Sequence, residues 1–118
     1  ERPIVAGVCY NRLARSISLD ADPTVQYAVG YAEESDSWWK APLTLSDLET
    51  DSPFNTYRYP GLPPGPINSP GRAAIRAAIS PEEHRFLYFV ASPDGGHSFS
   101  RTLTEHNQAV ARWQRSRR

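Results

Sequence analysis

The sequence predicts an α+β fold: helices packed on a small antiparallel hairpin, with a long ordered Pro-rich loop between them. Three observations carry that reading. Apolar residues recur at three- and four-residue spacing near the start of the chain and again near its end, which is the period of a half-buried helix. Phe86 to Val90 is a short aromatic and β-branched run, and the turn signal Pro93-Asp94-Gly95-Gly96 separates it from His97 to Ser100. Between the helical patterns, residues 53–71 hold six of the eleven prolines and three of the seven glycines. Too few strands are present for a barrel or sandwich.

In chain order, Pro3 suits the first turn of a helix, where a missing N–H costs nothing. Ile4, Val5, Val8, Cys9 and Leu13 then form one stripe, so a helix is expected from about Pro3 to Arg15. Ser16 to Leu19 reads as an extended link. Asp22-Pro23 reads as an N-cap and first helical residue, and Gly30 closes the short helix that follows. Glu33, Glu34 and Asp36 are an acidic run of the kind that faces solvent. Trp38 and Trp39 stand beside it, and one of the pair is expected in the core. Ser46 to Glu49 is one helical turn.

The Pro-rich stretch cannot be helix interior or central strand, because proline removes donors and fixes φ. Phe54, Tyr57, Tyr59, Leu62 and Ile67 are interleaved with the prolines, which a solvated linker would lack. A stiff loop presenting Asn55, Thr56 and Tyr57 is expected, with a wrapping segment or a docking site for a proline-recognition module as the alternatives. Ser69-Pro70 then opens a helix in which Ile75 and Ile79 pair. Phe86 to Val90 is read as a buried strand. Thr102-Leu103-Thr104-Glu105 matches a capping box, with Leu103, His106, Val110 and Trp113 lining one helix face.

Composition bounds the function. The 118 residues predict one domain with a modest core. Thirteen basic and thirteen acidic residues cancel, which argues against a general grip on nucleic acid. The basic tail of Arg112, Arg115, Arg117 and Arg118 suits a helix C-terminus. Cys9 is the single cysteine and is expected buried, with no internal disulfide. No run approaches the ~20 apolar residues of a membrane span, and no signal peptide is visible. The chain begins at Glu1 and contains no Met, so a piece of a longer protein is expected.

Chemistry is sparse. His84, His97 and His106 lack metal-binding spacing, and neither a phosphate loop nor a serine elbow is present; no metal or cofactor is expected. Asp20, Asp47, Glu49 and Glu105 sit in polar company, whereas a general acid needs burial to raise its pKa. No catalytic residue follows from spacing. His97 and His106 read as hydrogen-bonded structural histidines or as donors to a ligand hydroxyl or acetamido group.

Seven blocks occur in order: Val-Cys-Tyr-Asn-Arg-Leu (8–13), Asp-Pro-Thr-Val (22–25), Phe-Asn-Thr-Tyr (54–57), Gly-Leu-Pro-Pro-Gly-Pro-Ile (61–67), Leu-Tyr-Phe-Val (87–90), Gly-Gly-His-Ser-Phe (95–99) and Glu-His-Asn (105–107). Together they resemble the C-terminal part of the YceG-like (MltG) family of endolytic murein transglycosylases, over nearly the whole chain. The resemblance implies a bacterial cell-wall lyase that cleaves between N-acetylmuramic acid and N-acetylglucosamine in nascent peptidoglycan strands. It implies that the muramoyl C6 hydroxyl attacks C1 and leaves a 1,6-anhydro end. It also implies a single N-terminal anchor in the cytoplasmic membrane, a LysM-like subdomain, and a catalytic part facing the periplasm or outside.

The family's Ala-Ser-Ile-Val-Glu-type motif, which holds the catalytic glutamate, is absent. Glu1 matches a glutamate that follows it, so the resemblance carries over no catalytic acid, and this chain alone is expected to lack turnover. Asp20 stands where the family usually has a side-chain amide. The resemblance places substrate contacts at Asn11, Asp22, Asn55, Thr56 and Tyr57, with His97 added by its chemistry, and makes Gly61 to Ile67 a cleft wall. The implied partners are glycan strands and wall synthases, with no nucleic acid. The alternatives are a non-catalytic glycan-binding module and a protein-interaction module.

Overall fold

The computed structural model describes residues 1–116. Its elements are α1 (Arg2–Ala14), α2 (Asp22–Val29), a 3-10 turn (Glu33–Ser35), α3 (Leu45–Leu48), α4 (Arg72–Ile79), β1 (Tyr88–Ala91), β2 (His97–Ser100) and α5 (Leu103–Ser116). This is the α+β arrangement that the helical periods and the hairpin signal predict. Arg117 and Arg118 of the basic tail lie outside the described residues. Two compact units emerge, Glu1–Arg12 with Pro70–Arg118, and Leu13–Ser69.

In the first unit, β1 and β2 pair antiparallel with Tyr88 opposite Ser100 and Ala91 opposite His97. Gly95 adopts φ 89° in the turn, a conformation that costs other residues strain. The strand expected at 86–90 begins two residues later and is half-buried rather than buried; Phe89 is 38% exposed. A two-stranded sheet has one covered face, so alternate residues meet water.

The segment before β1 has no strand partner over residues 84–86. Side chains of α1 satisfy its backbone instead. The Asn11 amide donates to the carbonyls of His84 (2.8 Å) and Phe86 (2.9 Å), and Arg12 Nε donates to Leu87 (2.7 Å). His84 Nδ1 accepts the Phe86 N–H at 3.0 Å, which leaves the proton on Nε2 to donate to the Ile4 carbonyl at 2.8 Å. Val8, at 1% exposure, is buried, as are Ala77, Leu87 and Ala109.

Helix α4 buries Ala77, while Ile75 and Ile79 are exposed. Helix α5 is capped by Thr102, whose hydroxyl accepts the Glu105 N–H at 3.2 Å. Glu105 closes the reciprocal bond one residue early, on the Arg101 N–H. Leu103 is 55% exposed and does not join the buried face, whereas Ala109 is buried. Cys9 is half-buried, and burial pushes its thiol up.

His106 stacks on Tyr88, ring centroids 5.1 Å apart. Its Nδ1 is buried and has no partner among the described residues. Burial first, and Arg12 second, hold its pKa below the ordinary histidine range. A folded pKa below the unfolded one means that this group's contribution is present above the unfolded pKa and is lost as pH falls toward the folded pKa. His106→Phe keeps the stack and removes the proton site. Urea midpoints compared at about pH 8 and about pH 5 should differ less in the variant than in the parent sequence.

The second unit is built on α2 and the loop that follows α3. Asp22 is the first residue of α2 rather than its cap; Ala21 takes the cap position with no side-chain bond. The Thr56 hydroxyl accepts the N–H of that cap residue, Ala21, at 2.9 Å. Gly30 (φ 77°) ends the helix as expected. Thr44 and Asp47 form a full capping box around α3. Lys40 bonds Asp47 at 2.8 Å and lowers its pKa. Trp38 (74%) and Trp39 (43%) are both exposed, so neither fills the core position expected for one of them. The small residues Val25 and Ala32, with Thr24 and Thr56, occupy the buried space instead.

Candidate functional site: a histidine–glutamate pair on an alanine-lined groove

A groove of about 580 Å³ lies in the first unit, lined by Val5 and Ala6 of α1, Ala74, Ala77 and Ala78 of α4, and Glu1, Arg2, Gly95 and His97. Four alanines make it wide. A methyl group fills little space, so a ring-sized ligand can approach both helices.

Glu1 and His97 form the polar pair of this groove. The carboxylate accepts the His97 backbone N–H at 3.1 Å through Oε1 and the ring Nδ1–H at 2.7 Å through Oε2. Each residue of Gly95-Gly96-His97 has a separate physical job. Gly95 makes the turn. A Cβ at Gly96 would stand 2.8 Å from Glu1 Oε1, so only glycine admits the carboxylate without a shift. His97 supplies both donors. Those bonds hold the Glu1 carboxyl below its ordinary range, which keeps it a carboxylate. With Nδ1 donating to it, a neutral His97 ring carries its acceptor at Nε2. The side chain is 31% exposed, enough to meet a ligand hydroxyl.

The remaining expected contacts are distributed as follows. Asn11 is in the same unit as His97 but spends its amide on residues 84 and 86. Asp22, Asn55, Thr56 and Tyr57 come together in the second unit. Asn55 is 0% exposed; its amide donates to Leu48 and Thr50 carbonyls at 2.9 Å each, and its oxygen accepts the Tyr57 N–H at 3.0 Å. Thr56 is 1% exposed and meets the Thr24 hydroxyl at 2.8 Å. The Tyr57 hydroxyl donates to Asp22 at 2.5 Å, and Asp22 is exposed. Asp22 and Tyr57 thus face outward more than the asparagine and threonine behind them.

Glu1, His84 and Thr24 were not legible as partners of these residues. The only sequence signal was two glycines ahead of His97, since a residue without Cβ often marks a close approach. Among the described residues, no group of three or more His, Cys, Asp or Glu is placed to hold a metal.

Comparison with known proteins bears on the family of the chain. The model of the YceG-like family matches residues 1–112. An endolytic murein transglycosylase of Bacillus subtilis is 41% identical over 113 residues, 96% of this chain and 29% of that protein. One from Streptococcus pneumoniae is 36% identical over 112 residues, covering 94% and 20%. The crystal structure of a yceG-like protein from Listeria monocytogenes superposes with a TM-score of 0.79 at 46% identity, over 90% of this chain and 32% of that one. The chain therefore spans a third or less of these relatives. With a family match over nearly its whole length, it belongs to the YceG-like family.

Proposed function

We propose that this chain is part of an endolytic peptidoglycan transglycosylase, and that it holds the glycan strand while a carboxylic acid outside these residues breaks it. The observation that carries the reading is the alanine-lined groove with Glu1 and His97 on it, in a chain of this family. The bond cleaved is that between N-acetylmuramic acid and N-acetylglucosamine. One acid protonates the leaving glycosidic oxygen; as a carboxylate it then takes the proton of the muramoyl C6 hydroxyl while that oxygen closes on C1. A single group can serve both steps only if the sugar is held still, which is the work assigned here to the protein surface.

Glu1, Asp47 and Asp94 are each held below the ordinary carboxylate range by hydrogen bonds. That is the wrong direction for a proton donor near neutrality. In this reading His97 and the outward pair of Asp22 and Tyr57 contact sugar hydroxyl and acetamido groups. Asn11, Asn55 and Thr56 position the backbone around them. No helix among the described residues is long and apolar enough to cross a membrane. A cytoplasmic-membrane anchor, an outward-facing catalytic part and wall synthases as partners belong to the same proposal.

The test is digestion of purified peptidoglycan by the longer protein containing this chain, with product ends read by mass spectrometry. Anhydro ends are expected, and reducing ends would overturn the transglycosylase reading. Ala78→Phe, at an exposed position that fills the groove, should cut turnover at least about tenfold, the loss of ~1.4 kcal/mol of positioning. The 118 residues alone should release nothing. Anhydro products from them would place the acid within this chain.

A further inference from the structure

Trp38 is the most exposed aromatic residue, at 74%, yet the segment bearing it is tightly bonded. Ala32 and Ser37 exchange both backbone hydrogen bonds, at 2.7 and 3.2 Å. Asp36 turns the chain in the left-handed region (φ 49°) and accepts the Tyr31 hydroxyl. The Tyr31 ring leans on the Trp38 indole, centroids 5.2 Å apart and planes at 56°. The Ser37 hydroxyl accepts the Trp39 N–H at 3.0 Å. The result is a flat apolar surface fixed in water by its own supports. Leaving an indole there forgoes apolar burial, and a ring already held in place has little side-chain entropy left to lose on binding.

The surrounding charge selects the occupant. Residues 31–47 hold four acidic side chains, Glu33, Glu34, Asp36 and Asp47, and one cation, Lys40. Lys40 is tied to Asp47. An anionic bilayer surface is repelled by such a segment, since membrane attraction needs unpaired basic residues. A pyranose ring fits. Its C–H face is apolar and lies against the negative face of an indole, while its rim of hydroxyls donates to the exposed carboxylates of Glu33, Glu34 and Asp36. The same carboxylates disfavour an anionic sugar.

We infer that the Tyr31–Trp38 hairpin is a stacking platform for an uncharged hexosamine ring of a glycan strand. This rests on the glycan-holding function proposed above.

Titration calorimetry of the 118-residue chain with peptide-free glycan strands tests it. Trp38→Ala should bind about tenfold more weakly, Trp38→Phe should keep most of the affinity, and Trp38→Leu should behave as alanine does, because stacking needs a flat face. Equal binding by Trp38→Ala, with binding reduced in Ala78→Phe, would sink the platform and leave the groove intact. No glycan binding by the unaltered chain would sink both. Sedimentation with phosphatidylglycerol vesicles that depends on Trp38 would overturn the assignment in favour of a membrane contact.

Discussion

Asn55→Ala is expected to lose about 3–4 kcal/mol of folding stability, on the order of 10 °C in thermal midpoint for a chain of this size. The side chain has no exposed surface and holds three backbone groups: the carbonyls of Leu48 and Thr50 and the N–H of Tyr57. Alanine leaves all three without that partner in a place water cannot easily reach. Asn55→Asp separates this account from simple loss of volume. The carboxylate still accepts from Tyr57 but turns negative charge toward two carbonyl oxygens. It should be at least as damaging at neutral pH and should partly recover in acid, where a protonated carboxyl can donate one bond. Thermal melts of both variants across pH decide the matter. A loss under about 1 kcal/mol for Asn55→Ala would mean that the loop relaxes around the gap. Because Tyr57 hangs on Asn55, the outward pair with Asp22 should weaken with it.

Gly7→Ala should cost about 2 kcal/mol despite lying inside a helix, where alanine is favoured over glycine by ~1 kcal/mol. A Cβ at this position would stand 2.4 Å from the Glu82 carbonyl oxygen and 2.6 Å from His84 Nε2. Neither neighbour gives way cheaply. The first is backbone, and the Glu82 N–H bonds the Pro3 carbonyl at 3.0 Å. The second donates to Ile4 and is held at its other nitrogen by Phe86. Overpacking therefore outweighs helix propensity. Gly65→Ala is the control, since nothing lies within 4 Å of its added carbon; it should stay within about 0.5 kcal/mol. Chemical denaturation of the two variants compares them directly. A neutral or stabilising Gly7→Ala would show that the segment at 82–84 is free to move away from α1.

Local rules made much of this legible. The helix at the start of the chain, the short helix closed by Gly30, the turn at 93–96 and the last helix all follow from spacing and turn chemistry, which act over a few residues. The family was legible for a related reason: seven short blocks occur in order along the chain, each readable without knowing the fold.

What the text could not carry was which partner each polar group takes. The Asp22 carboxylate is placed to cap a helix by sequence, yet Tyr57, 35 residues away, claims it. Asn11 reads as a helix-surface amide and is in fact a clamp on a strandless segment more than 70 residues on. Glu1 and His97 are separated by 96 positions and meet where Gly96, lacking a Cβ, leaves room for the carboxylate. Tertiary packing also overruled hydrophobicity where volume mattered, leaving Trp38 outside and Thr24 and Thr56 inside, since a small paired hydroxyl fits a modest core better than an indole. Sequence by itself determined the elements and the lineage of this chain. Only the folded structure decided which side chains are spent holding it together and which are left facing outward, because hydrogen-bond pairing and free volume depend on distances that no linear spacing encodes.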